Sequence, residues 1–509
     1  MVERETWSPP AYAWVLLGLV ALALTPKVAP SRLQGHWLLI TPCLIVVGVL
    51  LIRKLWTLHP AVTLCATVVV TIFSGAWSKM GLGGLPFDRL LAIIVLLAMF
   101  LRAPGVARVP RIQIKGVHLL LAVTAIYALA SACAAGTLTS KSGSLSLIDE
   151  LGIAPYLLFL VTPAIFAGRH ERDMLLATLV GLGAYLGFTA IFEALGPHFL
   201  VFPRYIVHVD AESPTGRAYG PFQGSTAEGF ATFACAVAAV IAFFQWRRPY
   251  PRWSAAVVAV ACIFGCFLTL ERGVWIAAAS AIAITALVTR RGRRWLLPGI
   301  LACVFVIAAV SVFSPALVNK TSSRVNDQLS IWDRQNQTTA GLRMLAAKPL
   351  LGFGWDRYTR DSLPYFRQAA DYPLDGYELG QLDEYRLGDE EVPLPLHNTY
   401  LSYAVELGII GALLWLTSLL WGVGGAVVSH GTADLRSWKL GLLALIVFAL
   451  VVGVVNPYQA PFPTLLLWVW AGVAIGNGRS LRPRQKLISP EESSNAVISK
   501  SDKALWLPA

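Results

Sequence analysis

His397 follows Pro393 and Pro395 and immediately precedes an apolar run that begins Asn398-Thr399-Tyr400. An imidazole has an ordinary pKa of about 6.5, so at neutral pH it offers a lone pair to a departing proton. The positive end of a helix behind it favours that neutral form. A histidine so placed can serve as a general base or as a structural residue at a helix start. Glu406 lies nine residues further, about 13.5 Å along the same helix, and reads either as a buried partner or as a second functional carboxylate. Arg272 stands at the tip of a hairpin between the apolar runs Val257 to Leu270 and Gly273 to Val288, with only Glu271 charged beside it. A guanidinium held at a membrane surface presents a planar fork that matches two phosphate oxygens; snorkelling or pairing with a neighbour would also place it there. Arg217 sits in Gly216-Arg217-Ala218-Tyr219-Gly220-Pro221-Phe222-Gln223-Gly224. Glycines let backbone approach a ligand, and the helix start beyond them suits an anion, although an ordinary loop arginine among turn glycines has the same look.

Other chemistries lack their residues. There is no His-Glu-x-x-His, no phosphate-binding glycine loop ending in Lys-Ser or Lys-Thr, no Cys-x-x-Cys and no nucleophile elbow, so neither a metal site nor a nucleotide or serine-acyl mechanism has sequence support. All seven cysteines (Cys43, Cys65, Cys133, Cys235, Cys262, Cys266, Cys303) lie inside apolar runs and read as small packing residues. No cofactor is expected.

The elements that must position these groups are membrane helices. Only 14% of the 509 residues are charged, 56% are apolar and the mean hydropathy is +0.62, whereas an ordinary soluble domain is roughly 25% charged. Runs long enough for a bilayer about 30 Å thick are expected at 12–25, 37–52, 60–75, 87–101, 117–136, 151–167, 174–195, 225–244, 253–270, 273–289, 295–314, 398–428, 438–456 and 461–476. Several of these are short, so the count is about 12–14. Tyr12 to Thr25 lacks a cleavage site and reads as the first membrane helix. With both ends cytoplasmic, the connectors at 53–54, 102–115, 169–172, 247–252, 290–294 and 436–439 and the tail from 479 are all inside and all basic, as the positive-inside rule requires. The net charge of +12 is therefore a topology signal, and nucleic acid is not an expected partner.

The expected organisation is an all-α polytopic membrane protein in four parts: a helix bundle over 1–314, one large extracytoplasmic loop over 315–397, the last membrane helices over 398–478 and a disordered tail over 479–509. The loop 196–224, the Glu271-Arg272 hairpin and the large loop then face one compartment. Apolar spacing predicts a helix over 327–347, ended by Pro349. Further along, 371–391 are acidic and rich in tyrosine, a solvated face with rings suited to stacking on sugars.

His397-Asn398, nine residues, then Gly408-Ile409-Ile410-Gly411 is similar to the His-Asn-x9-Gly-x-x-Gly signature of the O-antigen ligase and O-antigen polymerase family. Pro349-Leu350-Leu351-Gly352-Phe353-Gly354 resembles that family's Pro-x-x-Gly-x-Gly turn, and Arg343 stands where its loop helix often carries an arginine. Thr269-Leu270-Glu271-Arg272-Gly273 resembles its Thr-x-Ser-Arg-Gly hairpin, with glutamate in place of serine, and Arg217 to Phe222 its Arg-x-x-Gly-x-Phe segment.

The resemblance implies a membrane glycosyltransferase of GT-C-like architecture, inverting and metal-independent, working on the outer face of the cytoplasmic membrane. Its donor would be a glycan on undecaprenyl pyrophosphate and its acceptor another glycan or a lipid; a chain-length regulator is the further partner such a polymerase would take. His397 would be the base and Arg217 and Arg272 the pyrophosphate clamp. Asn398, Arg343, Gly352, Gly354, Glu406, Gly408 and Gly411 would support them. The long loop favours a polymerase over a ligase. A transporter or flippase is the reading from another class, disfavoured because the span interiors carry few ionisable groups, with Glu406 the clearest exception. A peptidoglycan polymerase finds no matching glycine- and serine-rich loop.

Overall fold

No water reaches the hydrocarbon interior, so an apolar run crosses it only with its own amides satisfied, as in an α-helix. The computed structural model follows that rule. It describes residues 59–74, 76, 87–101, 112–207, 216–290, 292–294, 321–322, 329–362, 364–365, 396–430, 433–456 and 460–476. The expected spans at 12–25, 37–52 and 295–314, the acidic stretch 371–391 and the tail lie outside these.

Among the described residues the chain is helical and has no strand. The helices are α1 Pro60–Thr71, α2 Phe87–Leu101, α3 Gly116–Ala135, α4 Ile153–Ile165, α5 Arg169–Leu195, α6 Ser225–Gln245, α7 Pro249–Leu268, α8 Arg272–Val288, α9 Leu329–Ala347, α10 Thr399–Leu419, α11 Arg436–Val455 and α12 Pro461–Ile475, with shorter turns between them. Each expected span that falls on described residues is found, and the predicted loop helix is α9. Among the described residues seven helices, counting α4 with the turn before it and α10 and α11 with the turns beside them, are long and apolar enough to cross a membrane; α1, α8 and α12 are shorter and apolar. The protein is an all-α polytopic membrane protein.

Small residues set the packing. A Cβ on Gly183 of α5 would come within 2.8 Å of Cys235 and 3.0 Å of Cys262, and one on Gly187 within 3.0 Å of the Ala261 backbone. Glycine, alanine and cysteine thus bring α5, α6 and α7 close, the way helices associate where lipid supplies no hydrophobic drive. Cys65, Cys235, Cys262 and Cys266 are buried packing residues. Phe244, Val260 and Ile126 face outward, as apolar side chains do toward lipid.

Three helices set the two faces of the bundle apart. α5, α6 and α11 meet at one end through the Gln245–Ser437 hydrogen bond (2.6 Å) and the Arg172–Asp434 ion pair. At their other ends stand Glu193, Ser225 and Asn456, all joined to the loops that carry the candidate site. Helices of 20 to 27 residues hold these ends about 30 Å apart. The basic stretches 169–172, 247–252 and 436–439 share the end away from His397, so the charge bias in the sequence corresponds to one face of the fold.

Candidate active site

Asn398 begins α10. In extended backbone (φ −155°), its side-chain oxygen accepts from the Leu401 amide at 3.0 Å, satisfying one of the donors a helix start leaves open. His397 therefore stands just outside the helix, held by its neighbour's cap. Its Nδ1 lies 2.7 Å from Oε1 of Gln337 on α9, and its backbone amide donates to the same oxygen at 3.3 Å. An amide NH2 could not accept from the His397 N–H, so the convergence of two donors assigns this atom as the carbonyl oxygen. Nδ1 then carries the proton, and Nε2 of the neutral ring holds the lone pair.

α10 is broken where the signature glycines fall. Gly408 has φ 69° and ψ 176° inside the helix, and the backbone of the 349–354 turn fills the gap. Ile409 donates to the Pro349 carbonyl (2.9 Å), Phe353 to Val405 (2.9 Å) and Gly354 to Glu406 (2.9 Å). A Cβ on Gly408 would lie 2.1 Å from the Leu350 oxygen, and one on Gly352, itself at φ 72°, 2.5 Å from the Glu406 oxygen. Gly354 meets Ala135 and Gly411 meets Tyr127 as closely. The two motifs are thus halves of one backbone interlock, which only glycine permits. The Glu406 carboxylate is buried and accepts from the Tyr358 amide at 3.4 Å. It faces the chain beyond the interlock, not His397.

Glu271 is the centre of a second group. Its carboxylate is buried and lies 3.0 Å from Arg334 of α9, 3.4 Å from Arg217, 3.3 Å from the Asn456 amide and 3.5 Å from the Ser225 hydroxyl. Burial works against its charge, but the Arg334 and Arg217 guanidiniums with the Asn456 hydrogen bond hold it below the usual carboxylate range. Asn456 also accepts from Arg334 (3.3 Å), and its carbonyl accepts from Thr399 (3.1 Å), two residues past His397. Arg272, half-buried, opens α8 beside this group. Arg217, Arg272 and Arg334 thus bring three guanidiniums to the surroundings of this carboxylate.

The Arg217 loop is gripped from below. Glu193 of α5 accepts from the Tyr219 and Gly220 amides at 2.9 and 3.0 Å, and Ala218 donates to the Leu268 carbonyl at 3.0 Å. Gly220 (φ 57°) leaves room for the buried Glu228 carboxylate, which a Cβ would meet at 2.0 Å.

Sequence reasoning missed Arg334, Gln337, Glu193, Glu228 and Asn456. Glu193 and Glu228 had a usable signal, since a carboxylate inside an apolar span is costly and rarely idle. Arg334 and Gln337 had only their spacing of three on one helix face. Arg343, nine residues past Arg334, leaves α9 about half a turn around the axis and stands apart from the Glu271 group.

Residues 257–416 match the family model described as O-antigen ligase. The matched stretch holds the Glu271-Arg272 hairpin, α9, the glycine interlock and His397. Over that stretch the chain is similar to the O-antigen ligase family. No curated protein and no solved structure matches it. Arg217 and Asn456, outside the matched O-antigen ligase segment, complete the Glu271 group from flanking helices and loops. The protein is a membrane glycan-processing enzyme.

Proposed function

We propose that the protein is a membrane glycosyltransferase that extends or transfers undecaprenyl-pyrophosphate-linked oligosaccharides on the outer face of the cytoplasmic membrane. The arrangement of His397 on Gln337 carries this reading: one α9 face orients the base through Gln337 and holds the cationic group through Arg334. The acceptor hydroxyl gives its proton to Nε2 of His397 as its oxygen bonds to the anomeric carbon from the face opposite the leaving group. The bond from that carbon to the phosphate oxygen breaks, undecaprenyl pyrophosphate departs with the electron pair, and the configuration inverts. Arg217, Arg272 and Arg334 meet the charge that builds on the leaving pyrophosphate. No step runs through a metal, so turnover is expected to continue in excess chelator; loss on chelation that a divalent cation restores would contradict this mechanism.

The acceptor separates two readings. A polymerase, taking a second lipid-linked unit, suits the long loop before His397; a ligase, taking a lipid or protein, is the activity in the matched family's description. Complementation of a deletion strain distinguishes them, with His397→Ala, Arg217→Ala and Arg272→Ala at matched membrane levels. Single lipid-linked units accumulating in the histidine variant indicate a polymerase, and finished polymer stranded on carrier lipid indicates a ligase. Normal surface glycan from that variant would remove His397 from the chemistry.

A further inference from the structure

At the end of the bundle away from His397, a cavity of about 410 Å3 opens between the starts of α5 and α11, within the roughly 300–1,000 Å3 of sites that take small molecules. Its charge is arranged unevenly. Arg172 is buried and committed: it pairs with Asp434 and donates to the carbonyls of Phe166 (3.2 Å) and Ala167 (2.8 Å), which makes it a fixed wall. Arg169 and Asp173 are 3.9 Å apart and largely exposed, a pairing worth little in water. Arg436 is exposed and makes no ion pair among the described residues. The cavity therefore keeps guanidinium charge to spare, and the amides at both helix starts have no side-chain cap.

We propose that this cavity binds the phosphate headgroup of an anionic phospholipid in the leaflet opposite the one that borders His397. Position argues for a lipid over a free anion. The cavity sits where apolar helices reach the membrane surface, with Trp438 as a buried aromatic wall, and basic pockets between membrane helices at that depth take lipid phosphates. Arg169 supplies a fork from the start of α5 and Arg436 one from the start of α11, and the Arg172–Asp434 pair ties the two helix starts together behind them. Arginines that served only to fix topology would need no cavity between them.

Native mass spectrometry of the purified full chain, titrated with phosphatidylglycerol, phosphatidylcholine or inorganic phosphate, tests the proposal. One saturable phosphatidylglycerol adduct is expected, weakened at least ten-fold by Arg169→Ala with Arg436→Ala. Arg247→Ala, at an exposed position of the same face that does not line the cavity, should leave it intact. If the double variant fails to insert, Arg436→Gln alone carries the test, because Arg436 makes no ion pair among the described residues. Equal loss in Arg247→Ala, saturation by inorganic phosphate without lipid preference, or the absence of a saturable adduct would each overturn it.

Discussion

At the residue scale, Gln337 decides what His397 can do. By accepting from Nδ1 it fixes the tautomer, so Gln337→Ala should lower turnover by about ten-fold while leaving the protein folded, against roughly 100-fold or more for loss of the base itself. Gln337→Glu keeps the acceptor but adds a negative charge that favours imidazolium. The acid limb of the pH–rate profile should then move to higher pH, an outcome that a merely structural glutamine would not give. Glu271 makes a different prediction. Its carboxyl is held below the ordinary range, so it contributes stability that is complete above the unfolded pKa of about 4.3 and lost as pH falls through the folded value. Glu271→Gln should cost about 2 kcal/mol at neutral pH and flatten the acid side of a melting profile taken in detergent; an unchanged profile would mean the arginines do not need it. The sequence showed the serine-to-glutamate departure in the hairpin. It did not show the partners, because Arg217, Arg334 and Asn456 come from three distant segments.

At the element scale, the interlock between the 349–354 turn and the break in α10 ties the stretch after α9 to the helix that His397 precedes. Gly352→Ala and Gly408→Ala each put a Cβ within 2.5 Å of backbone at positive φ. Neither clash can be relieved by turning a side chain, so each should cost about 3 kcal/mol or more and sharply reduce folded protein in membranes. Gly181→Ala, with nothing within 4 Å of the added carbon, is the matched control and should be neutral or slightly stabilising. Normal yield and activity in the Gly408 variant would show that the break is dispensable. The glycines and their spacing were legible in the sequence as two separate motifs; that they bond to each other was not, since backbone pairing leaves no side-chain pattern. α9 itself was legible from its apolar period and from Pro349, although which face it offers to the site was not.

At the scale of the whole molecule, hydropathy and charge told nearly all that can be compared. Long apolar helices leave little freedom in where an element begins, because lipid forbids unsatisfied backbone; the expected and observed spans accordingly agree over the described residues. The basic stretches gather at one end and the candidate site at the other. Cysteines placed at Phe199 and Tyr250, both exposed, in a cysteine-free background should therefore differ in labelling: an impermeant thiol reagent applied outside intact cells reaches position 199 but not 250. The reverse pattern would invert the assigned topology. The central claim, that an oriented His397 takes the acceptor proton while arginines take the leaving charge, is tested most directly with purified protein in lipid discs. The measurement is release of undecaprenyl pyrophosphate from a defined lipid-linked oligosaccharide, in single turnover, by wild type and His397→Ala with equal melting temperatures. A rate at least about 100-fold lower in the variant, with donor binding retained, is the predicted result; equal rates would contradict it.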